Sequence, residues 1–423
     1  MKNFKESGIE WLGEIPEHWE VVKGSFLFSN KKELNSNFQC KTRLALTLSG
    51  VIEKDMEQNF GLNPLDFRTY QIFNCDDLVF KLIDLDNVNT SRVGYVYKKG
   101  IMSSAYIRLI PKEISYSKYF YYFYYSLYVK QIFNNIGTGV RSTLNADELL
   151  SIKIPLPPLK EQEQIANFLD EKCKKIANFI EKKEKLITLL KEQKQALINE
   201  TITKGLDKNV NFKDSGIEHL GEIPQHWRIV KLKYVAFTNI GLVYTPDDII
   251  ENPDEGYPVL RANNIQNGKI DYQDLIYIKS KQIGKKQIIS SGDLLMCVRN
   301  GSENLLGKTA KIQDGYFSFG AFTAIIKSQF NDYFYWIFQT NMLRKSIASF
   351  SASNGIGQIS QDDIKNFIIS FPPLKEQEQI AKFLDEKCEK IDLLIEKTKK
   401  QIKLIKEYKT ILINQAVCGR ISL

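Results

Sequence analysis

The sequence predicts an α+β chain in which two mixed α/β domains, residues 1–156 and 206–371, are each followed by a long helix, residues 157–205 and 372–423, the two helices pairing with one another. Three observations predict it. Phe4 to Trp19, FKESGIEWLGEIPEHW, returns at Phe212 to Trp227 as FKDSGIEHLGEIPQHW, identical at 13 of 16 positions. Pro157 to Cys173, PPLKEQEQIANFLDEKC, returns at Pro372 to Cys388, identical at 16 of 17. After each Pro-Pro pair, apolar residues recur every seven positions. Between these frames the halves are nearly unalignable, so one design is repeated around two different inserts. That pattern fits two different readings presented from one symmetric support.

The N-terminal frame is charged from Lys2 onward and offers neither an apolar core nor a small-residue cleavage site, so no export is expected. The first insert, about 20 to 156, carries short alternating runs rich in β-branched and aromatic residues, such as RVGYVYKKGIMSSAYIRLI from Arg92 to Ile110. The second, about 228 to 371, carries GKTAKIQDGYFSFGAFTAIIK from Gly307 to Lys327. Faint echoes connect the two. Asp77-Leu78-Val79 answers Asp293-Leu294-Leu295, the aromatic run Tyr119 to Tyr125 answers Tyr333 to Phe338, and Asp147 answers Asp362. One fold with two surfaces is expected. An aromatic run shared by both inserts reads as a core helix rather than a base-stacking platform.

Leu159 to Lys204 contains neither Gly nor Pro. Its start has prolines at the boundary and Glu161 and Glu163 in the first turn, where the helix dipole favours anions, and Gly205 supplies a stop. One seam position holds Leu169, Ile176, Lys183, Leu190 and Leu197, the other Cys173, Ile180, Ile187 and Lys194. The same register gives Leu384, Ile391, Thr398, Ile405 and Leu412, with Cys388, Ile395, Ile402 and Lys409, in the second helix. Each helix of roughly 40 residues spans about 60 Å and cannot bury its seam alone. If the pair is antiparallel, the domains sit at opposite ends of a rigid rod.

Composition bounds the function. At 423 residues more than one domain is expected, and 43% hydrophobic with 26% charged residues is ordinary for a globular protein. The longest apolar stretch, Tyr119 to Val129, is far short of the ~20 residues of a membrane helix. Six scattered cysteines without a CxxC pair argue against a zinc site or disulfide framework and for a reducing cytoplasm. The net charge of +8 is a weak argument for nucleic acid, because much of it belongs to the helices. His18, His219 and His226 all lie in the duplicated frame and read as structural. The chain has no GxxxxGK[ST] loop and no [DN]PP[YFW] tetrapeptide, and Ile136 to Val140 lacks the third glycine of a nucleotide loop. A non-catalytic chain with no metal or cofactor of its own is expected.

With two EIPxxW frames, two PPLKEQEQIAxFLDEK helix starts and unlike inserts, the chain resembles the specificity (S) subunits of type I DNA restriction–modification systems. NCDDLVFKLIDLDN with SRVGYV and MSSAYIRL resembles one class of target-recognition domain. VLRANNIQNGKI with SGDLLMCVRNGS and FGAFTAI resembles another. The resemblance implies antiparallel helices with pseudo-two-fold symmetry and two recognition domains, each reading half of a bipartite target in double-stranded DNA across a spacer set by the helices. It also implies two methyltransferase (M) subunits carrying S-adenosylmethionine, and restriction (R) subunits using ATP and Mg. His219 in place of Trp11, and Cys418-Gly419-Arg420 in place of Thr203-Lys204-Gly205, depart from strict duplication.

Base reading needs Arg, Asn or Gln forks, and phosphates are held by Lys, Ser and Thr, so glycine-flanked loops rich in these are the candidates. In the first insert they are Lys81, Arg92, Thr138, Arg141, Ser142 and Thr143. In the second they are Arg261, Asn263, Asn264, Arg299, Asn300, Ser302, Ser353, Asn354 and Gln358. The competing reading is a non-catalytic tandem scaffold that holds two protein partners through its coiled coil. It explains the repeat equally well but does not predict matched Arg/Asn/Gln/Gly loops.

Overall fold

A computed structural model describes residues 3–55, 66–86, 89, 92–136, 143–300, 305–342, 346 and 358–421. It divides into two compact units, residues 1–184 with 399–423, and residues 185–398. Each long helix therefore contributes one half to each unit. The cause is the seam, which neither helix can bury without the other.

In the first unit, β1 (Phe4–Glu6) and β2 (Glu14–Pro16) form a hairpin from the N-terminal frame, and β3 (Glu20–Lys23) pairs with β12 (Lys153–Leu156), closing the insert at its neck. Two four-stranded sheets fill the insert. One has the order β6 (Gly50–Lys54), β5 (Arg43–Thr47), β10 (Gly100–Met102), β7 (Gln71–Phe73). The other has the order β4 (Phe28–Ser29), β11 (Ile107–Pro111), β8 (Leu78–Lys81), β9 (Arg92–Tyr95). The short helix α1 (Gly24–Leu27) precedes β4. The aromatic run is α2 (Ser117–Val129), with Tyr119, Phe120, Phe123 and Tyr124 fully buried in the main core. Each large ring buries roughly 150–250 Å², so one helix adds much apolar area to the core. α3 (Ala146–Ser151) starts on an Asn145–Glu148 capping box.

The second unit repeats the plan. β13 (Phe212–Asp214) pairs with β14 (Glu222–Pro224), and β15 (Arg228–Lys231) with β27 (Ile368–Phe371). One sheet runs β16 (Phe237–Ile240), β26 (Thr323–Lys327), β23 (Leu294–Cys297), β24 (Thr309–Lys311). The other runs β17 (Ile249–Ile250), β21 (Ile276–Ile278), β18 (Tyr257–Leu260), β25 (Tyr316–Phe319), β22 (Ile289–Ser290). β19 (Ile265–Gln266) and β20 (Lys269–Ile270) make a small hairpin. The echoed DLV and DLL segments are the central strands β8 and β23. The second aromatic run is α5 (Asn331–Phe338), with Tyr333 and Phe334 buried, and the Asp147/Asp362 echo marks α3 and α6 (Gln361–Asn366), both on capping boxes.

The long helices are α4 (Leu159–Lys204) and α7 (Leu374–Val417). In the first unit Ile165, Leu169 and Ile176, early in α4, share a core with Leu412 to Val417, late in α7. In the second, Ile198 and Ile202 share one with Ile380, Leu384 and Cys388, and Lys194 Nζ donates to both Asp392 oxygens at 2.7 Å. Start meets end in both units, so the helices run antiparallel. Of the seam, Leu169, Ile176, Leu384, Ile395 and Ile402 are buried, while Ile180, Ile187, Leu190, Ile391 and Ile405 are half-buried.

The duplicated frames have a common task. In the first unit Trp19 Nε1 donates to Glu161 Oε2 at 3.0 Å, and His18 Nε2 shares a 2.6 Å hydrogen bond with Glu161 Oε1. In the second, Trp227 Nε1 donates to Glu376 Oε1 at 3.1 Å and His226 meets Glu376 Oε2 at 2.9 Å. Each frame thus grips the third residue of the helix that begins in its unit. The same tryptophan covers the glycine ending the other helix. Gly205 (φ +73°) and Gly419 (φ +71°) are left-handed, and a Cβ there would lie 3.1 Å from the Trp227 ring and 2.9 Å from the Trp19 ring. Tyr119 Oη, from α2, donates to the Val417 carbonyl at 3.0 Å, satisfying an orphan acceptor at the helix end. His219, at Trp11's place in the repeat, stacks on Phe367 and meets the Ile368 carbonyl at 3.2 Å. Arg420 donates to the Leu12 carbonyl at 3.2 Å, fixing the segment after α7.

Candidate nucleic-acid interface

The two units build the same edge from different residues. At the end of β8, Leu144 N donates to the Leu82 carbonyl at 3.1 Å; at the end of β23, Ile359 N donates to the Val298 carbonyl at 2.8 Å. The capped helices α3 and α6 follow directly, and the residue just before each donor is exposed: Thr143 in one unit and Gln358 in the other.

In the first unit this edge carries Lys81 and Arg92, directly opposite one another across β8 and β9. Two cations at facing positions of a ladder repel. Burial lowers the Lys81 ammonium pKa from its ordinary range, and Arg92 lowers it further, against Asp84. Arg92 Nη2 donates to the Asn89 carbonyl at 2.9 Å. Thr138, Arg141 and Ser142 lie outside the described residues.

In the second unit Arg299 and Gln358 face each other in an antiparallel bridge, and the Arg299 guanidinium lies 5.3 Å from the centroid of the exposed Phe322 ring. A guanidinium held over a ring face is oriented by it. Asn300 is half-buried beside the Cys297 thiol, whose pKa is raised by burial. Ser302, Ser353 and Asn354 lie outside the described residues.

The LRANN loop is organised differently from the expectation. Arg261 Nη2 and Asn263 Nδ2 both donate to Asp274 Oδ2, at 3.0 and 3.2 Å. Asn264 is buried, accepts from Arg261 N at 2.9 Å, and donates to the carbonyls of Asp271 and Gln273 at 2.9 and 3.0 Å. Its amide is engaged in shaping the loop. The loop joins the edge through Gly320, whose N–H donates to the Leu260 carbonyl at 2.9 Å.

Sequence reasoning missed Lys308. Cys297 N donates to the Lys308 carbonyl and Gly307 N to the Cys297 carbonyl, both at 2.8 Å, so Lys308 faces Cys297 as Arg92 faces Lys81. The signal was present: GKTAKI follows DLLMC as SRVGYV follows DLVFK. Among the described residues no group of three or more His, Cys, Asp or Glu is arranged to hold a metal ion, and no helix is long and apolar enough to cross a membrane.

Comparison with known proteins points one way. The family model described as the type I restriction modification DNA specificity domain matches residues 62–191 and 224–404. The specificity subunit of the type I restriction enzyme MjaVIII of Methanocaldococcus jannaschii is 27% identical over 434 residues, covering 99% of this chain and 96% of that protein. The EcoKI specificity subunit of Escherichia coli is 28% identical over 207 residues, covering 48% of this chain and 45% of its own length. A chain from a type I R-M system, solved to explain its complex assembly and conformational transition, superimposes with a TM-score of 0.74 at 15% identity over 96% of this chain and 99% of that one. The HsdS subunit from Thermoanaerobacter tengcongensis gives 0.55 at 15% identity over 96% and 98%. At such identity these two establish the fold.

Proposed function

Since the chain belongs to the type I restriction-modification DNA specificity family and has its two target-recognition domains, we propose that each domain reads one half of a bipartite DNA target and that the helix pair sets the spacer between the halves. The observation that carries this reading is the shared edge: one backbone scaffold presents Lys81, Arg92 and Thr143 in the first unit and Arg299, Gln358 and Lys308 in the second. A common frame with unlike side chains is what two different base readings require. Thr138, Arg141, Ser142, Ser302, Ser353 and Asn354, outside the described residues, stay among the proposed DNA contacts on their side-chain chemistry, as do Asn300, Arg261 and Asn263.

The chain supplies recognition, and the methyl transfer and cleavage fall to partners: two M subunits with S-adenosylmethionine, and R subunits with ATP and Mg, working on DNA in the cytoplasm. Apolar residues left exposed at repeat-related helix positions, Phe179 with Leu394 and Leu189 with Leu404, support one kind of partner docking at each unit. Modification-sensitive sequencing of DNA from cells that co-express the chain with its methyltransferase partner tests the reading. A split adenine-methylated motif is expected; absence of any motif from a soluble, assembled complex argues for the scaffold alternative.

Two results refine it. Arg299→Ala is expected to lose about 1–3 kcal/mol of discrimination in one half-site only. An equal loss in both halves, read from the methylation motif, would make Arg299 a general contact. Removal of one heptad from both helices shortens the pair by about 10 Å, roughly three base pairs. The motif should keep both half-sites with a shorter spacer, and an active variant with unchanged spacing would overturn the ruler.

A further inference from the structure

The first unit holds a groove of about 520 Å³ beside the reading edge, on the sheet built from β5 and β6. Arg43, Lys54, Arg92, Tyr70, Tyr106 and Ser103 line it, and no aspartate or glutamate does. Two of its cations face each other: Arg43 stands opposite Lys54 across β5 and β6, and Arg92, which stands opposite Lys81 across β8 and β9, adds a third. Facing like charges cost stability in a ladder, and here one such pair lines the cavity together with Arg92. Arg43 is 8% exposed, with its guanidinium 5.4 Å from the Phe67 ring centroid, so its position is fixed by packing. The Tyr106 hydroxyl lies in the field of Arg92. The groove therefore offers guanidinium, ammonium and hydroxyl donors with no lining acid, the chemistry that holds a phosphodiester. The strand in the same place of the second unit, β18, reads YPVL and carries no cation.

We propose that this groove takes the phosphodiester backbone of the DNA half-site read by the first domain, an inference that rests on the DNA-reading function above. Phosphate held here registers the duplex against the Lys81–Arg92 edge, and relieves the repulsion among Arg43, Lys54 and Arg92.

The test measures binding of a random-sequence duplex, across a salt series, to the complex of the full chain with its methyltransferase partner. Lys54→Glu and Arg43→Gln are compared with the linker change Lys208→Glu. Lys54→Glu is expected to weaken binding about tenfold and to lower the salt slope by about one, and Lys208→Glu to leave both unchanged. Because Arg43→Gln alters a packed position, the half-buried Lys54 carries the result if that variant fails to fold. A wild-type complex that binds no duplex would overturn the DNA-reading function itself. A wild type that binds, with Lys54→Glu equal to it in affinity and slope, would overturn only the groove. Inorganic phosphate that raises the melting temperature of the wild type but not of Lys54→Glu, with duplex affinity unchanged between them, would assign the groove to a free anion instead.

Discussion

Trp19→Ala is expected to destabilise the first unit by about 3–5 kcal/mol, the range for emptying a site occupied by a fully buried large aromatic side chain. The ring fills the space between the start of α4 and the end of α7, edge-on to Tyr119 at 6.4 Å. Its N–H also holds Glu161, which would lose that bond. Trp19→Phe separates the two contributions, because it retains most of the apolar area and removes the N–H. It should cost about 1–2 kcal/mol more than the area lost explains. Urea unfolding of the full chain, with Trp227→Ala as the mirror change in the second unit, reads both. A loss below about 1 kcal/mol for both alanine variants would mean that the frames are ornaments rather than fasteners.

Asp77→Ala should be comparably severe, about 3–5 kcal/mol, for an electrostatic reason. Arg108 Nε donates to Asp77 Oδ2 at 2.6 Å, and both side chains are almost wholly buried; Arg108 also pairs with the half-exposed Glu33 at 3.5 Å. Removing Asp77 leaves a guanidinium inside the domain without its buried, shorter ion pair. Replacing the pair together, Asp77→Leu with Arg108→Met, should recover most of the loss, since the penalty lies in the stranded charge. The pair also shapes the acid response. Burial raises the Asp77 carboxyl above its ordinary 3.8, opposed by the Asn74 N–H and Arg108. The folded chain then binds this proton more tightly than the unfolded chain. The group's contribution to stability is full below 3.8 and declines as pH rises through the folded-state pKa. Denaturation midpoints of wild type and the double variant, compared across that interval, should diverge with this sign.

The repeats made the frames and the long helices legible, because duplication and heptad spacing are properties of sequence alone. The burial of Tyr119 to Tyr124 could likewise be argued from the matching run at Tyr333. Glu161 was legible only as a first-turn acid. Its grip on Trp19 and His18 joins residues more than 140 apart in sequence, and neither propensity nor period carries that. Asn264 and Lys308 show the same boundary from two sides. Asn264 has the composition of a base reader, yet a tight turn consumes its amide. Lys308 directly precedes β24 and acquires interest only from the backbone bonds that set it opposite Cys297.

The clasp also has a consequence for inheritance. Trp19, Glu161 and Gly419 come from the frames and helix ends, and the insert contributes only Tyr119 among the clasp contacts described. A foreign insert arriving between the same frames would need to satisfy a single address, an aromatic helix that brings one tyrosine to the helix terminus, while the rest of its surface stayed free to vary. Exchange of segments between related genes could then renew what such a chain recognises in one event, without the rest of the architecture having to be selected again.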